Sequence, residues 1–535
     1  MNPIEHDYII VGGGSAGCVL AHRLSADPTV RVLLLEAGMR DINPLISIPL
    51  GMGKLHAHRF HDWGYETEPE QNLGSRRLEA MRGKVLGGCS SVNVMAYTRG
   101  HPNDYNRWAR GGATGWSYDD VLPYFRRSET WEGGENRWRG GSGPVGTQLA
   151  KTKDAIFNAW IEAGRQSGYP VTEDYNSEQA EGFGRGQYTI RHGRRSSASR
   201  AYLRPVMHRP NLNVETKALV VGLTFEGNRV TGVEYLRNAR LVKAKTAREV
   251  ILSAGTFNSP QILMLSGIGP ADHLKSIGIT PRVDIPNVGE NLQDHLATWI
   301  TWQRKSPGDF HREMRLDRMT LSMLRAYFLG SGPGTVVPGG LHAFVKTKPE
   351  LDVPDIEFMF HTVPPQTRLW LPWLRPPYQD AYAIRPTLLH PQSRGRIRLR
   401  STDPRDPPRI EFNFFSSNDD LVRLREGFRR AREVGQQSAM SSYRAIEVSP
   451  GPKVATDAEI DNFIRRTALT AHHPAGTCRM GSDPDAVLDP WLRVQGVDNL
   501  RVIDASVMPD LVSAHINASV LMIAEKGADI IQKNH

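Results

Sequence analysis

The hydrophobic pattern is clearest over the first forty residues. Tyr8-Ile9-Ile10-Val11 is a short apolar run after a charged start, and a glycine-rich turn follows it. Cys18 to Leu24 has helical character, and Arg31 to Leu35 carries a second apolar run ending at Glu36. This pattern predicts a strand–turn–helix–strand unit of about 30 residues, whose length implies a parallel crossover. Strand-like runs recur at Leu212 to Glu215, Leu219 to Phe225, Gly232 to Leu236 and Glu249 to Leu252. The alternation Gly395-Arg396-Ile397-Arg398-Leu399-Arg400 predicts a strand with one polar face. Near the C-terminus a strand is expected at Leu500 to Ile503 and a helix from Ala518 to Ile531. Ala80 to Ser91 reads as a loop leading into a helix. Arg110 to Thr147, dense in Gly, Trp and Arg, reads as an irregular surface excursion.

From about Pro307 to Asn413 the character changes: proline is frequent, and aromatics cluster in Leu369-Trp370-Leu371-Pro372-Trp373-Leu374. That region is a candidate second domain, and 535 residues suffice for two or three domains with sizeable cores. The net charge of +9 raises the question of nucleic acid as a partner. The basic residues are scattered among 57 acids, however, and their densest groups, Arg126-Arg127, Arg194-Arg195 and Arg465-Arg466, are only pairs. A solvated basic surface, without nucleic acid, is the expectation. Three cysteines in no short paired spacing suggest neither zinc nor a redox dithiol, and fit a reducing cytoplasm. Met1 to Asp7 lacks a basic segment followed by an apolar stretch, so no signal peptide is expected. No apolar run reaches the roughly 18 residues of a membrane span. A cytoplasmic protein is expected, with peripheral membrane association left open.

Gly12-Gly13-Gly14-Ser15-Ala16-Gly17 fits G-x-G-x-x-G, and it follows an apolar strand and opens a helix. In that setting the first glycine permits the tight turn, the second lets backbone approach a pyrophosphate, and the third lets helix and strand pack closely. Glu36 lies 19 residues beyond Gly17 at the end of the next strand. A carboxylate there accepts hydrogen bonds from free ribose hydroxyls, which disfavours NADP. The turn alone does not separate FAD from NAD.

Further segments do. Arg82-Gly83-Lys84-Val85-Leu86-Gly87-Gly88-Cys89-Ser90-Ser91-Val92-Asn93, continuing to Tyr97, and Gly255-Thr256-Phe257-Asn258-Ser259-Pro260-Gln261-Ile262-Leu263-Met264-Leu265-Ser266-Gly267-Ile268-Gly269 resemble the two signatures of the glucose–methanol–choline oxidoreductase family, whose members bind FAD. Segments from Ala471 and from Asn499 are similar to its C-terminal motifs. Smaller matches are Asp62-Trp63-Gly64-Tyr65, Asn287 to His295 and Ser393-Arg394-Gly395. The resemblance runs from residue 7 to about residue 531 and extends to choline dehydrogenases and to alcohol oxidases and dehydrogenases. It implies an α/β FAD-binding Rossmann-like domain plus an α+β substrate domain with an antiparallel sheet. The expected division is 1–155, 205–305 and 460–535 for the discontinuous FAD-binding domain, with 156–204 and 306–459 for the substrate-binding domain.

The resemblance also implies site residues. Gly12, Gly14, Ser15, Ala16, Gly17 and Glu36 would meet the dinucleotide. Trp63 and Gly88 would also meet the cofactor, Asn93 and the backbone to Ala96 would lie along the flavin side, and the backbone of Val220 would meet the adenine. Asp504 and Ala505 would sit near the ribityl and pyrophosphate, and His515 and Asn517 near the pyrimidine end of the flavin ring. Relatives with tethered flavin carry histidine at the position of Val92, so non-covalent FAD is expected here. Cys89 stands where Ser or Gly is usual, and reads as a small packing residue near flavin.

Alcohol oxidation needs a base for the hydroxyl proton and a path for the carbinol hydride to flavin N5; the flavin supplies the electron chemistry. Histidine suits the base, because its unperturbed pKa lies near operating pH. Among 18 histidines, His56, His58 and His61 share a polar loop and read as a surface cluster rather than a metal site, and no metal is expected. His473, in His472-His473-Pro474-Ala475-Gly476-Thr477, matches the family's H-P-x-G-T histidine. His515 follows Asp504-Ala505-Ser506-Val507-Met508-Pro509, where the family's second His or Asn stands. His473 is therefore expected to take the alcohol proton while His515 hydrogen-bonds the same oxygen, and the two imidazoles would titrate together. No catalytic role is carried onto His472.

The substrate side is expected from roughly 307 to 460. Trp370, Trp373, Phe358 and Phe360 are candidates for an apolar lining, with core or lid packing the favoured reading. Such a lining would suit a primary aryl, furanic or aliphatic alcohol, with oxygen, a quinone or another carrier as electron acceptor. Choline would call for an aromatic cage with a carboxylate, and none is located in the sequence. Choline dehydrogenase and FAD-containing hydroxynitrile lyase, the latter by fold analogy, are the alternatives.

Overall fold

The computed structural model describes residues 5–364 and 366–533; Met1 to Ile4, part of the stretch expected to lack a leader, lie outside the described residues. The expected βαβ unit forms at His6–Val11, Ser15–Leu24 and Val32–Glu36, with the two strands parallel and Ile9 opposite Leu33. Ile9, Ile10, Val32 and Leu34 have no exposed surface, the mark of strands covered on both faces. His6–Val11 also pairs in parallel with Arg240–Leu252, and Val32–Glu36 with Leu212–Thr216. Leu500–Val502 extends the sheet beyond Arg240–Leu252.

The strand expected at Glu249 to Leu252 is the end of a longer one, Arg240–Leu252. Its first half leaves the parallel layer and forms an antiparallel meander with Arg229–Arg237 and Ala218–Glu226. Lys243, Lys245 and Ala247 are exposed there while Ala244 and Thr246 are buried, so one face meets water and no continuous apolar run marks it. The C-terminal helix, Asn517–Lys533, packs on Ser15–Leu24. Arg23 joins the two helices through Glu525 and through Asp529 at 2.6 Å.

A second, antiparallel sheet of eight strands occupies the other side of the molecule. Its central strands are Gly339–Val345, Ile356–His361 and Ala381–Leu388, flanked by Gly182–Arg185 and by Ile300–Arg304 with Arg444–Ser449. Alternation sorts Ile356–His361 into two faces. Phe358 and Phe360 turn to the core, where Phe360 meets Trp160 at 5.4 Å and Tyr382 at 5.5 Å. Glu357, Met359 and His361 take the opposite face. Helix Asn418–Gln436 covers the core side.

Two expectations need correcting. The boundary expected near 305 falls after Ile300–Arg304, a strand of the antiparallel sheet, and Leu469–Thr470 joins that sheet through Leu296–Ala297 although both were assigned to the other domain. The 110–147 stretch is not simply a surface excursion. It contains helix Tyr118–Ser128 and a buried cluster in which Glu129 accepts from Arg99 and Arg139 at 2.5 Å each. Pairing across the fold, not local pattern, puts those charges inside. The alternating 395–400 segment forms a short strand, Arg396–Arg398, paired with Arg409–Glu411. Among the described residues no helix is long and apolar enough to cross a membrane.

Candidate active site

A cavity of about 1550 Å³ runs from the glycine turn to the antiparallel sheet. Pockets for drug-sized ligands occupy roughly 300–1,000 Å³, so this one has room for a dinucleotide and a further small molecule. Gly12, Gly14, Ser15, Ala16, Glu36, Trp63, Gly88, Val92, Asn93, Ala96, Val220, His473, Asp504, Ala505, His515 and Asn517 all line it. Gly17 lies behind the lining, and its reason is packing: a Cβ there would stand 1.9 Å from the Gly12 carbonyl oxygen. Gly12 adopts φ +102° and passes close to Ser253. A Cβ on Gly14 would meet only the Ser253 oxygen at 3.9 Å, so the backbone there faces open cavity. The N-terminus of Ser15–Leu24 has no side-chain cap, which leaves its first amides directed at that space.

The carboxylate of Glu36 accepts from the Gly13 and Gly38 amides at 2.8 and 2.7 Å, so it braces the turn as well as lining the cavity. Burial pushes its pKa up to about 7. Asp504 accepts from the Gly255 amide and the Ser259 hydroxyl with one oxygen, and from the amide and hydroxyl of Ser506 with the other. Ser15 donates to Asn517 at 2.9 Å, which ties the starts of the first and last long helices together. Asn93 is held by the Arg195 guanidinium at 2.9 Å. The three loop histidines do not form one cluster. His58 is exposed, His61 bonds Asn43 at 3.1 Å, and His56 lines the cavity with Nε2 at 3.0 Å from the Val92 carbonyl oxygen. The short helix at Met52–Ala57 turns His56 inward.

His473 and His515, 42 residues apart in sequence, meet with ring centroids 4.8 Å apart and planes at 82°. The His473 amide donates to Asp294 at 2.8 Å, and His472 takes a left-handed conformation (φ +63°) just before it. Nδ1 of His473 is 3.0 Å from Nδ1 of His295, so one of these nitrogens donates and Nε2 of His473 is left for the cavity. Burial, then the neighbouring imidazoles of His515 and His295, hold the His473 pKa well below its usual value. Both effects favour the neutral imidazole at His473.

His515 has a second layer. Its Nε2 is 3.0 Å from Oε1 of Glu357, which His342 Nδ1 approaches at 2.7 Å. Burial opposes ionisation of Glu357, but His515 and the hydrogen bonds from both imidazoles hold its pKa well below the usual carboxylate range. His342, Glu357 and His515 also have the proximity that could hold a metal ion; here the carboxylate oxygen is shared as an acceptor between the two rings. None of the four aromatic candidates for an apolar lining stands on the cavity wall, and core packing, the favoured reading, holds for two of them. Phe358 and Phe360 are core residues, Trp373 is fully exposed, and Trp370 donates to the His311 carbonyl outside the cavity wall.

The description GMC oxidoreductase matches residues 6–297 and, in its C-terminal part, residues 391–524. The chain belongs to this family. Over 99% of its length this GMC oxidoreductase is 43% identical to the mitochondrial choline dehydrogenase of Mus musculus, covering 89% of that protein. It is 42% identical to the oxygen-dependent choline dehydrogenase of Brucella ovis, with 99% and 96% of the two chains covered. The structure of pyridoxine 4-oxidase from Mesorbium loti superposes with a TM-score of 0.89 at 34% identity, covering 99% of this chain and 100% of that one. This GMC oxidoreductase acts on CH–OH donors, and FAD is the cofactor typical of the family. Its fold is the family's: a mixed, Rossmann-like sheet with an antiparallel substrate-side sheet.

The residues present fit FAD. The uncapped helix start and the open Gly14 backbone make a cradle for a pyrophosphate, and the volume exceeds what a mononucleotide needs. Sequence reasoning did not single out Glu357, His342, Arg385 or a role for His295. His295 stood inside a matched segment, Asn287 to His295, so a signal existed. Glu357 lies in an apolar strand, where a lone buried acid at an alternating position was the only hint.

Proposed function

We propose that this chain binds FAD without a covalent link and oxidises a primary alcohol, aryl, furanic or aliphatic, to the aldehyde. When bound, the flavin supplies the electron chemistry by taking the carbinol hydride at N5. The observation that carries the reading is His473 on the cavity wall beside His515, with ring centroids 4.8 Å apart. With its Nδ1 hydrogen donated to His295, His473 accepts the hydroxyl proton on Nε2. His515, steadied by Glu357, hydrogen-bonds the same substrate oxygen. Val92 offers no nitrogen for a flavin bond, which supports the untethered state. Electrons then leave to oxygen, a quinone or another carrier.

Anaerobic mixing with a primary alcohol tests this. Bleaching of the flavin band is expected; aldehyde and cyanide release from a cyanohydrin without bleaching would favour a lyase instead. Acid precipitation is expected to free yellow flavin into the supernatant, and colour retained in the pellet would refute the untethered state.

The named activities of the relatives support choline as a second reading. Against it stands the charge of the substrate wall. From Trp299 to His473 the charged side chains lining the cavity are Arg368 and Arg385, and no carboxylate lines that stretch among the described residues. A quaternary ammonium would meet cations there.

The proposed location is the cytoplasm, with attachment to an anionic bilayer surface. Helix Leu316–Leu329 exposes Leu321, Leu324, Phe328 and Leu329, and the adjoining hairpin exposes Trp373 and Leu374. Exposed Arg312, Arg318, Arg325 and Arg375 accompany them, against Asp309 and Asp317. Apolar and aromatic side chains among cations suit an interface with anionic lipid.

A further inference from the structure

Arg385 is a charged side chain without a charged partner. It sits on Ala381–Leu388, opposite Met359 in the neighbouring strand, and lines the cavity that also holds His473 and His515. Its Nε is buried and bonds nothing. One Nη reaches the Thr470 carbonyl at a long 3.4 Å, and the other approaches only the Met359 sulfur at 4.0 Å. The guanidinium rests 5.2 Å from the centre of the Trp299 ring. No carboxylate among the described residues lies within ion-pair distance of it, although Glu357 and Asp294 contribute to its electrostatic surroundings.

Arg195 gives the contrast. It is more deeply buried and likewise lacks an acidic partner, but it donates to the carbonyls of Ile46, Ser90 and Asn93 and to the Asn93 side chain, and it lies off the cavity wall. The chain meets its polar demand at Nε and Nη1, and Nη2 alone lacks a partner. Arg385 has no such set of acceptors, and an enclosed guanidinium with donors unmet is costly unless a ligand supplies the acceptors. Beside it, on the same wall, stand Trp299, Met359 and the His361 ring, whose buried Nε2 also lacks a partner. A planar anion that accepts two N–H groups side by side matches a guanidinium edge.

We infer that Arg385 forms a carboxylate subsite, so that the preferred substrates are alcohols carrying a carboxylate on an apolar or aromatic frame. This rests on the alcohol-oxidising reading above and names its substrate class. Arg385 acts in specificity: it binds the far end of the substrate while His473 meets the hydroxyl. Arg368, on the same wall, adds to the positive field.

The test compares 4-(hydroxymethyl)benzoate, benzyl alcohol and choline on the holoenzyme with an artificial acceptor, at equal flavin content. The acid is expected to exceed benzyl alcohol in kcat/KM by tenfold or more, mainly through KM, with choline the poorest. In Arg385→Met that ratio should fall to near unity, and Arg385→Lys should restore part of it. Non-oxidisable benzoate should inhibit the natural protein at least tenfold better than benzamide. Equal ratios in the natural protein and in Arg385→Met, or benzoate binding no better than benzamide, would overturn the subsite. A structural role through Thr470 would lower all substrates together and leave the ratio unchanged, which also overturns it. Failure of every alcohol to reduce the flavin would instead refute the function on which the subsite rests.

Discussion

The two ends of the cavity are built differently. The end at Gly12–Ala16 comes from one short stretch, in which backbone conformation is the working part: a positive φ at Gly12, an open face at Gly14 and a tight approach at Gly17. The end at His473, His515, Glu357 and Arg385 is assembled from strands and loops spread between residues 357 and 515, and its side-chain charges and tautomers do the work. The first end can be damaged by a methyl group, the second only by changing a functional group. Binding and chemistry should therefore separate on mutation.

His473→Ala should break the second end alone. Removing a general base costs about 10²–10⁴-fold, so flavin reduction followed by stopped flow should slow by that factor with flavin content intact. A loss below tenfold would remove the residue from that role. Glu357→Gln keeps the shape and removes a charge. One charge-assisted hydrogen bond is worth about 1.5–3 kcal/mol, which predicts a roughly 10–150-fold slower reduction with flavin retained.

The first end is tested by a pair of glycines. Gly17→Ala forces a Cβ into the Gly12 carbonyl, and overpacking of that kind costs about 1–3 kcal/mol or more; the apoprotein should melt earlier. Gly14→Ala meets almost nothing, so apoprotein stability should move by less than about 1 kcal/mol, as for a weak helix cap, while FAD occupancy drops. Equal melting of the two variants would erase the distinction between packing and binding.

Acid sharpens the second end. Burial holds His295, His361 and His472 at about 3, below the value of 6.5 for the free side chain. Between those values the unfolded chain binds more protons than the folded one, so stability rises with pH across that window. Melting temperature should fall as pH drops from 6.5 toward 4 and stay flat with respect to these groups above 7. The smallest effect belongs to the exterior. Leu321→Glu with Leu329→Glu, both exposed and off the cavity wall, should lower co-sedimentation with vesicles rich in phosphatidylserine by about threefold or more, since side chains only partly inserted contribute less than the roughly 1.5–3 kcal/mol of full burial. Unchanged sedimentation would remove that helix from the bilayer.

Legibility followed the same divide. The βαβ unit was readable because continuous apolar runs and a glycine turn are local properties, and the C-terminal helix was readable from its apolar period. The meander half of Arg240–Leu252 was missed because one face is solvated and its pattern is mixed. The inward turn of His56 was missed because a polar loop gives no sign of direction. Glu129 and Arg139 looked like surface residues because only their mutual pairing makes burial tolerable.

By itself, the sequence determined the glycine turn and the family and singled out His473 and His515, since each is carried by a contiguous segment whose backbone or motif needs no partner. Only the tertiary structure decided the rest. It set His295 behind His473, put Glu357 against His515, and left Arg385 facing the cavity without a counter-ion. Those are distances between strands, and alternation along one strand fixes a face without saying what stands opposite.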